Sequence, residues 1–425
     1  MMHTERAGFR RRVAGSFFTS PHGWVICAVM LGLSACVQVS GPAEKKEAPP
    51  LVFPLPPDEA RFVYERAIYS NLDIDKGVEE ADNSLRNLLT GENSSGPQYE
   101  RLAKPYGVAV HQGRIFVSDP VSRAVKAFDV PMGRYFRVGA ENPGMLLRPI
   151  GIDVDGAGNL YVADATAKAI MVYDRDGKFL RVAVVAKIGE PPLFSRLTSV
   201  TVDKKGERLY VVDIGGTDPA TGPEFHRIRV FDAGTGVHLF DIGGRGSLPG
   251  QLNLPRDVAI GKNNELYVVD SGNFRVQVFD AEGKYLRAFG KIGKQLGDFS
   301  RPKEIAIDKE GNVYVIDTLF GNFQIFNSQG ELLLYIGSRS AADGPALYQL
   351  LAGIAVDEDG RIYVVDQLYR KVEIFRPARI GEKEGYLGAT LQAEAAPGAK
   401  PALVPRADEK LPAIDALKGA IEDEY

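Results

Sequence analysis

The sequence predicts an all-β fold, a six-bladed β-propeller, and three observations carry that expectation. Short runs with apolar residues at every second position recur in sets of four. Each set places its Gly, Asn and Asp turn residues in the same order. The sets return around six aspartates, Asp119, Asp164, Asp213, Asp270, Asp317 and Asp366, at intervals of 45, 49, 57, 47 and 49 residues. Four short strands per unit of this length is how a propeller blade is written. A helical repeat would need apolar residues at i, i+3, i+4 and i+7, which these runs lack.

The chain has 425 residues, 44% hydrophobic and 25% charged, with a net charge of −4. That composition excludes disordered, collagen-like and polytopic membrane classes. It opens with Arg6, Arg10, Arg11 and Arg12 ahead of an apolar run from Trp24 to Leu33. Ten residues are too few to cross about 30 Å of hydrocarbon as a helix, so the segment reads as an export signal. The run ends in Leu33-Ser34-Ala35-Cys36, which resembles the lipobox of bacterial lipoproteins. That resemblance implies cleavage after residue 35 and acylation of Cys36, with fatty acids such as palmitate. Two or more acyl chains would hold the protein firmly at a membrane. Val37 rather than Asp after the cysteine implies sorting to the outer membrane. Loss of residues 1–35 removes four basic and one acidic side chain, leaving 47 against 54 and a net −7. An acidic exported protein is a poor candidate for nucleic-acid binding. Cys27 and Cys36 are the only cysteines, so no disulfide framework and no Cys-x-x-Cys site exist.

Residues 36–58 carry six prolines after the cysteine and read as a semi-extended tether. The propeller is expected over 59–377. Its sixth unit ends at Pro377 with its fourth strand missing, and open sheet edges invite aggregation. Arg61 to Tyr69 alternates and is the expected donor, an N-terminal strand that closes the last blade as its outermost strand. Asp75 to Leu89 suggests a short helix. Residues 378–425, rich in Ala, Pro, Glu and Lys, read as a mobile tail with a short helix near 414–421.

Within the units, Pro255-Arg256-Asp257-Val258-Ala259-Ile260, Glu265-Leu266-Tyr267-Val268-Val269-Asp270 and Arg275-Val276-Gln277-Val278-Phe279 follow one another. Pro105-Tyr106-Gly107-Val108-Ala109-Val110 and Pro149-Ile150-Gly151-Ile152-Asp153-Val154 repeat the first of them. This wording resembles the NHL repeat, whose six-bladed propellers read Pro-x-Gly-Val-Ala-Val-Asp, then Gly-Asn-Ile-Tyr-Val-Ala-Asp, then Arg-Val-Gln-Val-Phe. The resemblance covers roughly residues 100–377. Leu197 and Leu351 stand where the proline is expected, and blade three carries an insertion from Gly215 to Phe225.

Chemistry is harder to find. The six repeated aspartates are expected to accept backbone N–H bonds in the following loops rather than to hold a metal. Some NHL relatives, the peptidyl-hydroxyglycine amidating lyases, hold zinc by central histidines. Here His111, His226 and His238 fall in different blades and cannot converge on ligand bonds of about 2 Å. No Gly-x-Ser-x-Gly or His-Glu-x-x-His motif occurs. What stands out is a gathering of basic residues on one face, at strand entrances and in the loops beside them. These are Lys104, Arg123, Arg148, Lys168, Arg196, Arg256, Arg275, Arg301, Lys303 and Arg370, with Arg227 and Lys371 in the same loops. A structural reading pairs them with neighbours such as Asp257 and Glu304. The functional expectation is a monomeric, non-catalytic outer-membrane lipoprotein, a platform binding an envelope protein or anionic glycan through its loop faces. It needs no cofactor, no metal and no catalytic residue, and meets the membrane only through its lipid anchor. The alternative is a metal-dependent lyase or lactonase-like hydrolase with its site at the central channel.

Overall fold

The computed structural model describes residues 49–74, 99–187, 189–190, 192–217 and 224–388. The signal segment, Cys36, the expected helix at 75–89 and the one near 414–421 lie outside them. Pro50–Tyr425 form one compact unit, and within it six antiparallel sheets make the blades. Blade four shows the pattern: strand a Pro255–Ile260, b Leu266–Asp270, c Arg275–Phe279 and d Tyr285–Phe289 pair in sequence order. The a strands, Val108–His111, Pro149–Val154, Leu197–Val202, Pro255–Ile260, Pro302–Ile307 and Leu351–Val356, line a central channel. The a–b and c–d turns share the lower face; the b–c and d–a loops share the upper face.

Strand alternation explains the packing, because each strand sends side chains to both faces of its blade. The buried apolar residues fall into six clusters, one for each gap between neighbouring blades. In the gap between blades three and four, for example, Val212 and Ile228 meet Val258 and Leu266. Every blade therefore depends on both neighbours, and the ring must close.

Closure is made by the N-terminal strand Phe62–Ile68, which pairs with strand c of blade six, Lys371–Pro377, in a register from Phe62↔Pro377 to Ile68↔Val372. It is the fourth strand of that blade but not the outermost one. Val52–Phe53, inside the expected tether, adds a fifth by pairing with Val63 and Phe62. Beyond Pro377 the chain stays packed to residue 388. Leu387 is buried in the cluster that joins blades six and one, the Glu384 carbonyl accepts from the buried Arg361 guanidinium at 2.7 Å, and Arg361 also pairs with Glu65 of the closing strand at 2.9 Å. Residues 389–425 of the expected tail lie outside the described residues. The described ends of the blade-three insertion lengthen a hairpin: strands Arg208–Thr217 and Glu224–Asp232 pair out to Thr217↔Glu224, and residues 218–223 lie outside the described residues.

The repeated aspartates do hold loops. Asp317 is fully buried and accepts from Ser300 and Arg301 in the incoming d–a loop, and from Leu319 and Phe320 in the b–c loop. Asp164 and Asp366 do the same in their blades. Each such carboxylate fixes where the a strand of its own blade begins, and so shapes the upper mouth of the channel.

Candidate functional site

The channel is a cavity of about 360 Å³, bounded by the a strands from Gly107, Ser199 and Glu304 near the upper face to Lys204, Lys205 and Asn264 near the lower. Its uppermost ring comes from the position two residues after the Pro or Leu that opens each a strand. The six occupants are Gly107, Gly151, Ser199, Asp257, Glu304 and Gly353. Half the ring is glycine for a steric reason. A Cβ at Gly151 would lie 2.6 Å from the Ser199 Cα, and one at Gly353 would lie 2.6 Å from the Tyr106 carbonyl oxygen. At blades six, one and two the neighbouring strand lies too close for a side chain. Blades three, four and five supply Ser199, Asp257 and Glu304 instead, so all the polar chemistry of the ring lies on one side.

Asp257 is only 7% exposed. One carboxylate oxygen accepts the Ser199 hydroxyl at 2.6 Å, and the other accepts the Ile305 backbone N–H at 3.0 Å. Burial outweighs these bonds and pushes the carboxyl up to about 6. Glu304 stands beside it; burial, and then the neighbouring Asp257 charge, drive its carboxyl well above the usual range. The two therefore behave as a pair of carboxyls sharing a proton. Lys303 reaches across the mouth from blade five to blade one, its ammonium 4.2 Å from the centre of the Tyr106 ring. Burial brings Lys303 down to about 8, against the opposing pull of Glu304. Arg256 carries charge close enough to act on Glu304, Lys303 and Tyr106 alike. Four residues beyond the opening proline of blade two, Asp153 lines the wall, its oxygens held by the Val154 and Val202 N–H groups at 2.8 and 3.0 Å. A comparable rise to about 6 at Asp357 has a plain structural source, since that carboxyl is buried, accepts the Tyr363 hydroxyl and does not line the channel.

The basic residues singled out in the sequence divide into three groups. Arg275 is committed to Asp270 at 2.8 Å and to two backbone carbonyls, and Arg227 to Asp213 and Asp241. Lys371 is buried against Glu373. Lys104, Arg123, Arg148, Arg196, Arg301 and Arg370 are exposed, Lys168 partly so, and none of the seven forms an ion pair among the described residues. Arg256 and Lys303 belong to the mouth. Neither makes a direct ion pair with Asp257 or Glu304, so the structural pairing considered above is not formed. Sequence reasoning passed over Asp257, Glu304, Ser199 and Asp153. The signal was present: blades three, four and five replace the glycine of the repeat by Ser, Asp and Glu, and blade two has Asp153 where the repeat has Ala.

The histidines stay apart. His111 pairs with Glu358, His238 with Asp241, and the buried His226 accepts the Leu254 N–H through Nδ1. Among the described residues no group of three or more His, Cys, Asp or Glu is placed to ligate a metal ion. Asp153 and Asp257 line the channel without a convergent third ligand among the described residues, so the donor set present does not fit a metal there.

The NHL repeat model matches residues 252–279. A 48-residue stretch is 40% identical to Protein brain tumor of Drosophila melanogaster, covering 11% of this chain and 5% of that protein. Another of 59 residues is 37% identical to the mouse E3 ubiquitin-protein ligase TRIM32, covering 13% and 9%. The chain thus spans less than a tenth of the length of these curated relatives. Among solved structures, a Xanthomonas campestris gluconolactonase aligns over 65% of this chain and 86% of its own, at 16% identity and a TM-score of 0.47. A streptogramin B lyase aligns over 65% and 94%, at 13% and 0.46. Identities this low speak for the fold alone. The expectation of a non-catalytic platform finds no support in them, since both of these structures bear the names of enzymes. That expectation was formed from a search for histidines and nucleophile motifs, which left the channel carboxyls out of account.

Proposed function

We propose that this chain, a six-bladed β-propeller carrying the NHL repeat, is an enzyme that cleaves a carbon–oxygen bond of a small carbonyl compound at the upper mouth of its channel. The observation that supports this reading is the one-sided gathering of Asp257, Glu304, Lys303 and Arg256 where blades six, one and two present glycine beside an uncharged residue and blade three presents Thr198 and Ser199. Perturbed acids and bases facing a cavity are what acid–base catalysis requires. Above pH 6 Asp257 is ionised and takes a proton from water, whose oxygen attacks the substrate carbonyl. The oxyanion develops beside Arg256 and the Lys303 ammonium, which stabilise it in a poorly solvated site. Glu304, whose carboxyl is driven toward its protonated form by burial and then by the Asp257 charge, gives its proton to the departing alkoxide. No step is routed through a metal.

Exposed Arg148 and Lys104 near the mouth favour an anionic substrate, such as an acidic sugar derivative of the envelope. We further propose that Cys36 carries the lipid anchor and that the propeller works at the outer membrane. The test is turnover of a panel of sugar lactones and aryl esters, with gluconolactone included because a resembling propeller bears that name. Glu304→Gln and Asp257→Asn should each lower kcat by about 10²–10⁴ while the fold survives. Folded variants that turn over substrate like the parent would refute the proposal.

A further inference from the structure

We infer that the upper face is a membrane-docking surface for anionic lipid. Large apolar side chains are exposed unevenly on this propeller. The b–c and d–a loops present Val121 (64% exposed), Leu248 (64%), Ile292 (66%), Leu296 (55%) and Leu368 (55%), and Met145, Leu254, Leu319 and Leu350 join them. Among the described residues, the lower face exposes fewer: Met132 and Val237 in its turns, with Leu55 and Tyr386 beside them. Scattered single apolar residues need no explanation, but a whole face of them at loop tips does.

Charge follows the same division. Lys104, Arg148, Arg196, Lys294, Arg301 and Arg339 stand exposed on these upper loops without ion pairs among the described residues. Among the carboxylates nearby, Glu100 pairs with Lys126, Glu224 with Arg245 and Asp343 with Lys371, while Glu141 and Glu190 stand exposed and are outnumbered by the unpaired cations. On the lower face the signs alternate, with Glu207 beside Lys204 and Lys205, and Glu310 beside Lys309.

Apolar tips among unpaired cations fit one partner better than any other. A soluble polyanion would use the cations and leave Leu248, Ile292 and Leu296 in water. A protein surface offers no reason for apolar and basic groups to alternate around the whole rim. An anionic bilayer uses both: the tips enter the boundary between headgroups and acyl chains, and the cations lie among the phosphates. The surface requires neither the Cys36 anchor nor the catalytic reading. If both of those hold, it turns the channel mouth toward the lipid.

The experiment uses residues 37–425, which contain every strand of the closed ring and lack Cys36, with vesicles of phosphatidylcholine alone or with 30% phosphatidylglycerol. Each cation near an anionic surface is worth about 1 kcal/mol, or roughly fivefold. Co-sedimentation is therefore expected to rise at least tenfold with phosphatidylglycerol and to fall with salt. The Leu248→Ser, Ile292→Ser, Leu296→Ser triple variant should lose about tenfold or more, and the Arg148→Glu, Arg301→Glu variant should lose the preference for anionic lipid. Equal binding to both vesicle types overturns the inference. So does binding that the serine variant leaves unchanged, which would point to a soluble polyanion. Melting curves confirm folding, and turnover of a soluble ester by the serine variant keeps failure here separate from failure of the catalytic proposal.

Discussion

Replacing Asp257 by Asn should make the protein more stable at neutral pH. In the folded protein the Asp257 carboxyl is raised from 3.8 to about 6, chiefly by burial. A carboxyl held that far up favours its protonated form by about 3 kcal/mol. The sign follows from linkage. Below pH 4 both folded and unfolded states hold the proton, and the carboxyl is accommodated in full. As pH rises from 4 to 6 the unfolded chain releases its proton first, so stability falls until the folded carboxyl has also ionised. Above pH 6 the loss is complete. Asparagine never ionises, and its amide can accept from the Ile305 N–H while donating to the Ser199 hydroxyl, so both hydrogen bonds made by Asp257 are kept. Allowing for imperfect amide geometry, a gain of about 1–3 kcal/mol is expected at pH 7.5, or a few degrees in Tm, with little difference at pH 4. Thermal and urea melts at the two pH values measure it. An Asn variant destabilised equally at pH 4 and 7.5 would show that Asp257 is a structural acceptor, and the argument for a strained, functional carboxyl would fall.

Three further outcomes follow from the same physical picture. Cys36→Ser should move the protein from the membrane to the soluble fraction at high salt, where docking through the upper face is screened; full retention there would reject the lipobox reading. Deleting residues 37–70 removes both Val52–Phe53 and Phe62–Ile68 and opens the ring, which should produce oligomers by light scattering and cost several of the 5–15 kcal/mol typical of a domain. A monomeric truncation as stable as the parent would contradict closure by that strand. Asp317→Ala leaves four loop N–H groups without their acceptor and should destabilise by about 3 kcal/mol or more in denaturant melts.

The fold was legible because a propeller repeats its local rules six times, and alternation, turn residues and period agree in every unit. The missing fourth strand of blade six was legible too, as an unpaired edge at one end of the chain and an alternating run at the other. Val52–Phe53 was not, since two residues that join a sheet through backbone bonds leave no pattern. Neither was the packing of 378–388, which rests on Leu387 and on the Glu384 carbonyl rather than on any period. The candidate site lay between these cases. Asp257 and Glu304 were visible as residues where the repeat has glycine, but whether they face a channel or a neighbouring guanidinium depends on how closely six strands converge. That convergence excludes side chains at Gly151 and Gly353 and leaves space at blades four and five, a property of the closed ring and not of any single blade.

Catalysis at the channel mouth is the central claim, and the pH dependence of kcat/KM on the best substrate of the panel tests it most directly. The pair beside Lys303 predicts a bell whose acid limb lies near 6, where Asp257 must lose its proton, and whose alkaline limb lies near 8, where Lys303 loses its charge. Lys303→Arg should carry the alkaline limb upward, and Asp257→Asn should abolish the acid limb together with most of the rate. A profile whose limbs stay in place in both variants would contradict the account.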